Sequence, residues 1–494
     1  MARRPGLMLG PLLGPLRSAV LLAAATLLLS ACAGWRGADE LPAPVRAALA
    51  EARLPESSLG VVAYPLDQPR RALLRRADEP MQPGSAIKIL TAAVALERLG
   101  PASRGSTELL AEAAPVNGVL AGPLYLRGGG DAELDWGVLW TLLRQLREQQ
   151  GVCELRGGVV VDRSLFSPAR ADLGAPPFDE TPEFAYNTIP DALHLNGSLL
   201  VYRLQSDAER IVRADAFPAW PGLRIDASTL RLSERPCSEW SIDWRTPEFV
   251  PDGAGPVLRL QGAFPRQCQL ERAFNGVERQ WLTEAALRQL WAELGGSLAG
   301  PVREGSTPAG VQLLAMHHDR PLAEQVQGML KRSDNPLARL LYLRLGAAAA
   351  RPGEPSADAA AREVLAWLAA RGISTDGLVL DNGSGLSRAE RLTPRQLAAV
   401  LADAYTRSYA PELIAGLPLA GVDGTLARRL KGGPAEGRAR LKTGTLRNVQ
   451  SLAGYVRDAA GRTWVLVALL NDEEGAARGR PALDRLAEWV AQQQ

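Results

Sequence analysis

The octapeptide Pro83-Gly84-Ser85-Ala86-Ile87-Lys88-Ile89-Leu90 (PGSAIKIL) sets a serine and a lysine three residues apart where a dense apolar run begins. Ile87, Leu90, Ala93, Val94 and Leu96 recur at helical spacing and Gly100 supplies a stop, so the pattern predicts a buried helix over residues 85–99. Positions i and i+3 share a helix face, which puts Ser85 and Lys88 one turn apart on one side. A helix start offers free N–H groups and the positive end of the macrodipole to a developing oxyanion. A lysine buried there beside another cation loses its proton readily and activates a hydroxyl. The plainer reading makes Ser85 an N-cap and Lys88 a solvated charge. The octapeptide alone does not separate the two.

Two distant fragments do. Lys331-Arg332-Ser333-Asp334-Asn335 precedes a helix predicted over 336–346, where Ser-Asp-Asn also has capping chemistry. Lys442-Thr443-Gly444-Thr445 stands just ahead of the first strand of a C-terminal hairpin, with a glycine that lets a substrate backbone approach closely. Ser-x-x-Lys, Ser-Asp-Asn and Lys-Thr-Gly, in this order, form the set shared by penicillin-binding proteins and class A β-lactamases. The gap from Ser85 to Ser333, 333 − 85 = 248 residues, is far too long for a compact β-lactamase. With that gap, the chain resembles the D-alanyl-D-alanine carboxypeptidase/endopeptidase family, the class C low-molecular-mass penicillin-binding proteins, which carry extra domains at this point. Residues 124–131 (LYLRGGGD), 155–166 (LRGGVVVDRSLF), 381–388 (DNGSGLSR) and 421–426 (GVDGTL) resemble that family too, so the likeness spans essentially the whole mature chain.

The resemblance implies a serine carboxypeptidase/endopeptidase acting on peptidoglycan peptides through an acyl-enzyme, with β-lactams as covalent inhibitors. Ser85 is then the nucleophile and Lys88 the favoured base. Ser333 relays a proton to the leaving amine, and Asn335 holds the acyl-side amide and Lys88. Lys442, Thr443 and Thr445 bind the substrate carboxylate, Gly444 permits the approach, and the Ser85 and Thr445 N–H groups form the oxyanion hole. A lipid-anchored penicillin-binding scaffold with little turnover and a β-lactamase-like hydrolase are the alternatives. A class A β-lactamase places a glutamate ahead of a Leu-Asn pair, but Ala192 stands there ahead of Leu195-Asn196. A Ser-His-Asp hydrolase has only His194, His317 and His318 to draw on, none in a nucleophile elbow.

The texture along the chain places these fragments in a multi-domain α/β (α+β) fold. Strands are expected at 59–64 and 71–76, then short strands at 124–130, 157–162, 198–205, 223–232 and 257–262, interrupted by helices at 136–150 and 283–294. Helices return at 322–331, 336–346, 356–371 and 393–405, before a hairpin (449–457, 463–470) and a last helix from 481. Thr393-Pro394-Arg395-Gln396 has the residues of a capping box with proline at the first position. The resulting division is a signal over 1–31, a transpeptidase-like domain in two parts (32–103 and 301–494), and a mostly β insertion over 104–300.

Arg3, Arg4 and Arg17 with the apolar run 19–29 read as an export signal too short to span a membrane comfortably. Leu29-Ser30-Ala31-Cys32 resembles a bacterial lipoprotein box, which implies a lipid on Cys32 and a periplasmic protein held at the outer membrane by that lipid alone. An oxidising compartment permits a disulfide. Cys237 and Cys268 are the favoured pair, since polar loop residues flank both, and Cys153 is left free. A net charge of +2 gives no nucleic-acid footprint, and no Cys/His cluster has zinc spacing, so neither metal nor cofactor is expected. Oligomeric state is left open.

Overall fold

The computed structural model describes residues 39–252, 255–473 and 475–494. Cys32 and the expected signal lie outside the described residues. The two ends of the described chain build one antiparallel sheet. Its strands run in the order Ala439–Leu446, Val449–Arg457, Thr463–Asn471, Leu59–Pro65, Leu73–Arg75. Leu59 pairs with Leu470 and Pro65 with Trp464. Every residue of Leu59–Pro65 is buried, because both faces of the sheet are covered. Leu59, Val61, Ala63, Leu466, Ala468 and Leu470 pack with the helices Ala43–Glu51 and Arg480–Ala491. Val62, Tyr64, Val465, Val467 and Leu469 join the other core, built with Lys88–Arg98, Leu322–Arg332, Asn335–Ala349, Ser356–Ala369 and Pro394–Tyr405. Burial of each large apolar side chain contributes roughly 1.5–3 kcal/mol, so a strand covered on both sides reads as an unbroken apolar run. Thr393 and Gln396 close the expected capping box, Gln396 N–H donating to Thr393 Oγ1 at 3.0 Å and Thr393 N–H to Gln396 Oε1 at 2.8 Å.

The inserted region has its own core and a second five-stranded sheet, ordered Val302–Glu304, Val159–Asp162, Leu124–Gly128, Ser106–Ala111, Gln312–His318. Helices Trp136–Glu148 and Arg279–Glu293 pack on it. The last strand pairs with the first, Ser106 opposite His318, so this sheet draws in residues beyond 300. Asp319 ties the two crossings of the chain. Its buried carboxylate accepts the Gly105 N–H at 2.6 Å and the Ala132 N–H at 2.9 Å.

Two smaller sheets over residues 200–274, and a three-stranded one of Val119–Leu120, Glu154–Leu155 and Ser297–Leu298, complete the insertion. The strand expected over 223–232 is two strands, Arg224–Asp226 and Arg231–Ser233. Asp226 Oδ1 takes the Ser228 N–H at 2.9 Å and turns the chain between them. The strand expected from 198 begins at Leu200, after positive φ at Asn196 and Ser198. Cys237 and Cys268 form a disulfide within this part, and Cys153 is free and exposed.

Candidate active site

Residues 84–87 make a tighter 3₁₀ turn, and the α-helix begins only at Lys88. Ser85 therefore sits on the turn into the helix and makes no side-chain cap. Lys88 Nζ lies 3.0 Å from Ser85 Oγ and 2.6 Å from Asn335 Oδ1, and it donates to the Ser384 carbonyl. The lysine is completely buried. Loss of hydration is the main cause that brings its pKa from 10.5 down to about 7; Glu390 and Asp334 oppose the shift and Arg339 adds to it. The Asn335 and Ser384 oxygens are acceptors only. A neutral amine satisfies both with its two N–H bonds and turns its lone pair to the Ser85 hydroxyl. Three partners complete a neutral lysine.

Ser333, Asp334 and Asn335 divide two tasks among three residues. Ser333 ends the helix Leu322–Arg332 in the left-handed conformation, φ 61° and ψ 39°, which stores roughly 1–3 kcal/mol for a non-glycine residue. Asp334 caps the next helix, accepting the Leu337 N–H at 3.0 Å. Capping thus falls to Asp334, while Ser333 and Asn335 both line the cleft with Ser85. Lys442 Nζ donates to Ser333 Oγ at 2.8 Å and to the Thr443 carbonyl at 2.7 Å. Burial, and then the Lys88 charge, hold the Lys442 pKa well below the ordinary lysine value.

Lys442-Thr443-Gly444 lies inside the edge strand Ala439–Leu446, not ahead of a strand, because the hairpin has a third member. Lys442 is fully buried, and the cleft meets Thr443 and Thr445 instead. The reason for Gly444 also differs from the expected one. A Cβ there would sit 2.1 Å from Ser451 Oγ and 2.9 Å from Ser85 N, so the close approach is that of the strand to the turn that carries Ser85. Thr443 Oγ1 donates to Thr425 Oγ1 at 2.7 Å, and Thr445 Oγ1 to Gln450 Oε1 at 3.4 Å.

Sequence reasoning missed several members of the site. In the sequence, residues 381–388 carry only a family resemblance, yet Ser384 supplies the third partner of Lys88, and Leu386 and Arg388 line the cleft. Gly385, at φ 80°, leaves no room for a Cβ, which would lie 2.0 Å from Gly84 O and 2.7 Å from Ser85 N. Thr425, in the GVDGTL stretch, also lines the cleft. The insertion contributes Phe178, Asp179, Glu180 and Tyr186 to it. That edge is tied down where Asn335 Nδ2 donates to the Tyr186 carbonyl at 3.2 Å and Arg339 Nη1 to the Asn187 and Thr188 carbonyls at 2.9 and 3.1 Å.

The cleft has a volume of about 580 Å³. A second cavity of about 630 Å³ adjoins Tyr186, Ser333 and Asn335 and extends to Glu133, His194, Arg320 and Arg332. No group of three or more His, Cys, Asp or Glu residues is placed to hold a metal among the described residues.

A profile of the D-Ala-D-Ala carboxypeptidase 3 (S13) family matches residues 41–493. A D-alanyl-D-alanine carboxypeptidase of Actinomadura sp. (strain R39) is 29% identical over 467 residues, covering 92% of this chain and 86% of the relative. The D-alanyl-D-alanine carboxypeptidase DacB of Haemophilus influenzae is 28% identical over 429 residues, covering 85% and 86%. The crystal structure of penicillin-binding protein 4 (dacB) from H. influenzae superposes with a TM-score of 0.77 at 26% identity, covering 91% of this chain and 99% of that one. A second crystal structure of that protein, in complex with a β-lactam, has the same fold, with a TM-score of 0.74 at 23% identity over 91% of this chain and all of that one.

Proposed function

The chain belongs to the D-Ala-D-Ala carboxypeptidase 3 (S13) family of peptidases, and on that premise we propose that it hydrolyses the terminal D-alanyl-D-alanine bond of peptidoglycan stem peptides through an ester on Ser85. The observation that carries the mechanism is the lysine with three partners. Neutral Lys88 takes the Ser85 proton as Oγ bonds to the carbonyl carbon of the penultimate D-alanine. The Ser85 and Thr445 N–H groups stabilise the oxyanion; loss of one such donor typically costs about 2.7–4 kcal/mol of barrier. The C–N bond then breaks as Ser333, its hydroxyl held by Lys442, gives its proton to the leaving amine, and the proton that Lys88 took from Ser85 passes on to restore the Ser333 hydroxyl. Asn335 orients Lys88 and the acyl-side amide. The substrate carboxylate meets the Thr443 and Thr445 hydroxyls. Its charge favours the protonated form of Lys442 behind them, offsetting the burial that lowers that pKa. Water attacks the ester carbon and gives a proton to Lys88, which passes it to Ser85 Oγ as the ester C–O bond breaks and the acid leaves.

A β-lactam has its carbonyl and carboxylate placed to follow the same path, and its acyl group leaves slowly because the ring-opened amine stays attached. The test is covalent labelling with a fluorescent penicillin together with D-alanine release from a stem pentapeptide. Stoichiometric label and D-alanine release, both lost in Ser85→Ala, support the reading. Absence of a Ser85-dependent label refutes it, label without release identifies a scaffold, and rapid loss of label identifies a β-lactamase-like hydrolase.

The second cavity favours cleavage of D-alanyl–diaminopimelyl cross-links as well. In a cross-link the leaving amine carries a further peptide, which needs space next to Ser333. Release of two monomers from a purified cross-linked dimer tests it. Residence in the periplasm with a lipid on Cys32 rests on the lipoprotein-like sequence; the mass of the mature N-terminus decides it.

A further inference from the structure

Glu390 is a completely buried carboxylate with no role in the reaction described above. Among the described residues it has no salt bridge. Its partners are backbone N–H groups of one loop: Oε1 accepts from Asn382 at 3.1 Å and Gly383 at 2.8 Å, and Oε2 accepts from Gly385 at 2.8 Å. All three neighbours donate, and only an ionised carboxylate, which is acceptor-only, meets them without a surplus proton. The residues between these anchors are the ones that touch the nucleophile and its base. Ser384 turns its carbonyl to Lys88 Nζ, and Gly385 packs against Gly84 and Ser85. Thr91, one turn along from Lys88, fastens the same loop by donating to the Gly383 carbonyl at 2.7 Å.

We propose that Glu390 is a positioning residue for the catalytic lysine: its carboxylate gathers three backbone N–H groups into the loop that aims the Ser384 carbonyl at Lys88 and seats Gly385 beneath Ser85. The proposal rests on the acyl-enzyme reading of Ser85 and Lys88. Its charge has a second effect. Glu390 is the largest of the electrostatic influences that oppose the fall of the Lys88 pKa, so it limits how far burial takes it. The other titratable groups in its surroundings are Arg339 and Tyr342 on the helix Asn335–Ala349 and Asp381 on its own loop. Burial, followed by Asp381, raises the pKa of Glu390 itself, while the N–H bonds pull it down.

The experiment measures the second-order rate of fluorescent-penicillin acylation from pH 5 to 9 for the native protein, Glu390→Gln and Glu390→Asp. Rates are expressed per mole of protein that labels at completion, so unfolded material drops out. Glu390→Gln removes the charge and points an amide N–H₂ at N–H donors. Its rate should fall by between about tenfold and 100-fold, and its acid limb should move to lower pH, because Lys88 loses a neighbour that favoured the ammonium. Glu390→Asp keeps the charge on a shorter arm, so the rate should fall while the acid limb stays near the native one. A loop that merely aids folding would change the fraction that labels and leave the limb in place. Native-like rates and limbs in both variants overturn the proposal. If Glu390→Gln gives no labelled protein, a native-like rate in Glu390→Asp overturns it by itself. Absence of label on the native protein overturns the acyl-enzyme reading, and this proposal with it.

Discussion

Lys88 makes a quantitative prediction about pH. With the burial-lowered pKa of about 7, half of the molecules carry the neutral base at pH 7, about one in ten at pH 6 and about one in a hundred at pH 5. At the ordinary value of 10.5 the neutral fraction at pH 7 would be about one in 3,000. Acylation of Ser85 should therefore fall about tenfold per pH unit below pH 6, with its half-point near pH 7. Lys88→Arg keeps the positive charge but not the base, and should lose about 10²–10⁴ in rate together with the acid limb. Stopped-flow or gel-based acylation with fluorescent penicillin measures both. A flat rate between pH 5 and 8, or a half-point near pH 10, would refute the assignment of Lys88 as the neutral base. Stability should respond in the same sense. The folded state holds the Lys88 proton less tightly than the unfolded chain, so the difference is greatest below pH 7 and is recovered as pH rises towards 10.5. The unfolding free energy of the native protein relative to Lys88→Met should then increase by about 1.4 kcal/mol per pH unit across that window.

Three further outcomes are expected. Ser333→Ala removes the hydroxyl between Lys442 and the leaving amine, and kcat for D-alanine release should fall by about 10²–10⁴; a loss below tenfold in steady-state assays contradicts the relay. In Gly444→Ala the new methyl meets Ser451 Oγ and Ser85 N inside contact distance. Overpacking should destabilise the protein by about 1–3 kcal/mol in a denaturant titration, and penicillin labelling should be nearly abolished; an unimpaired label contradicts that packing. Replacing Cys237 and Cys268 by serine opens a link across 31 residues. This should cost about 3–4 kcal/mol of stability in calorimetry, while labelling of Ser85 at low temperature persists.

What the sequence disclosed, and what it hid, follow from the kind of group involved. That Ser85, Lys88, Ser333, Asn335 and Lys442 belong to one site could be read from the sequence because the candidates are side chains at fixed local spacings. The structure brings Lys88 onto both Ser85 and Asn335, and Lys442 onto Ser333. The Ser384 carbonyl was not legible, since every residue has one and only the tertiary path of the loop gives it a role. Glu390 was hidden for a related reason: a lone glutamate before Arg391-Leu392 reads as a surface charge, and nothing local shows that three N–H groups converge on it. The core strands were plain where both faces are covered, as in Leu59–Pro65. Gln312–His318 was missed because only Leu314 and Ala315 of its seven residues are buried and two histidines close it, so neither an apolar run nor an alternation marks it.

The pairing of Leu59–Pro65 with Thr463–Asn471 bears on how the molecule comes to exist. A nascent chain carries Ser85 and Lys88 long before it carries the strands that support them, and Lys442 and the edge strand arrive among the last residues made. Contacts so remote in sequence form late and slowly. The inserted region, with a core and sheet closed by its own first and last strands, is able to condense beforehand as a separate unit. Chemical competence therefore arrives as one of the final events of folding. A chain cut short before residue 439 holds the Ser85–Lys88 motif intact yet lacks the strand that flanks it, so it should bind no penicillin however well its middle has folded.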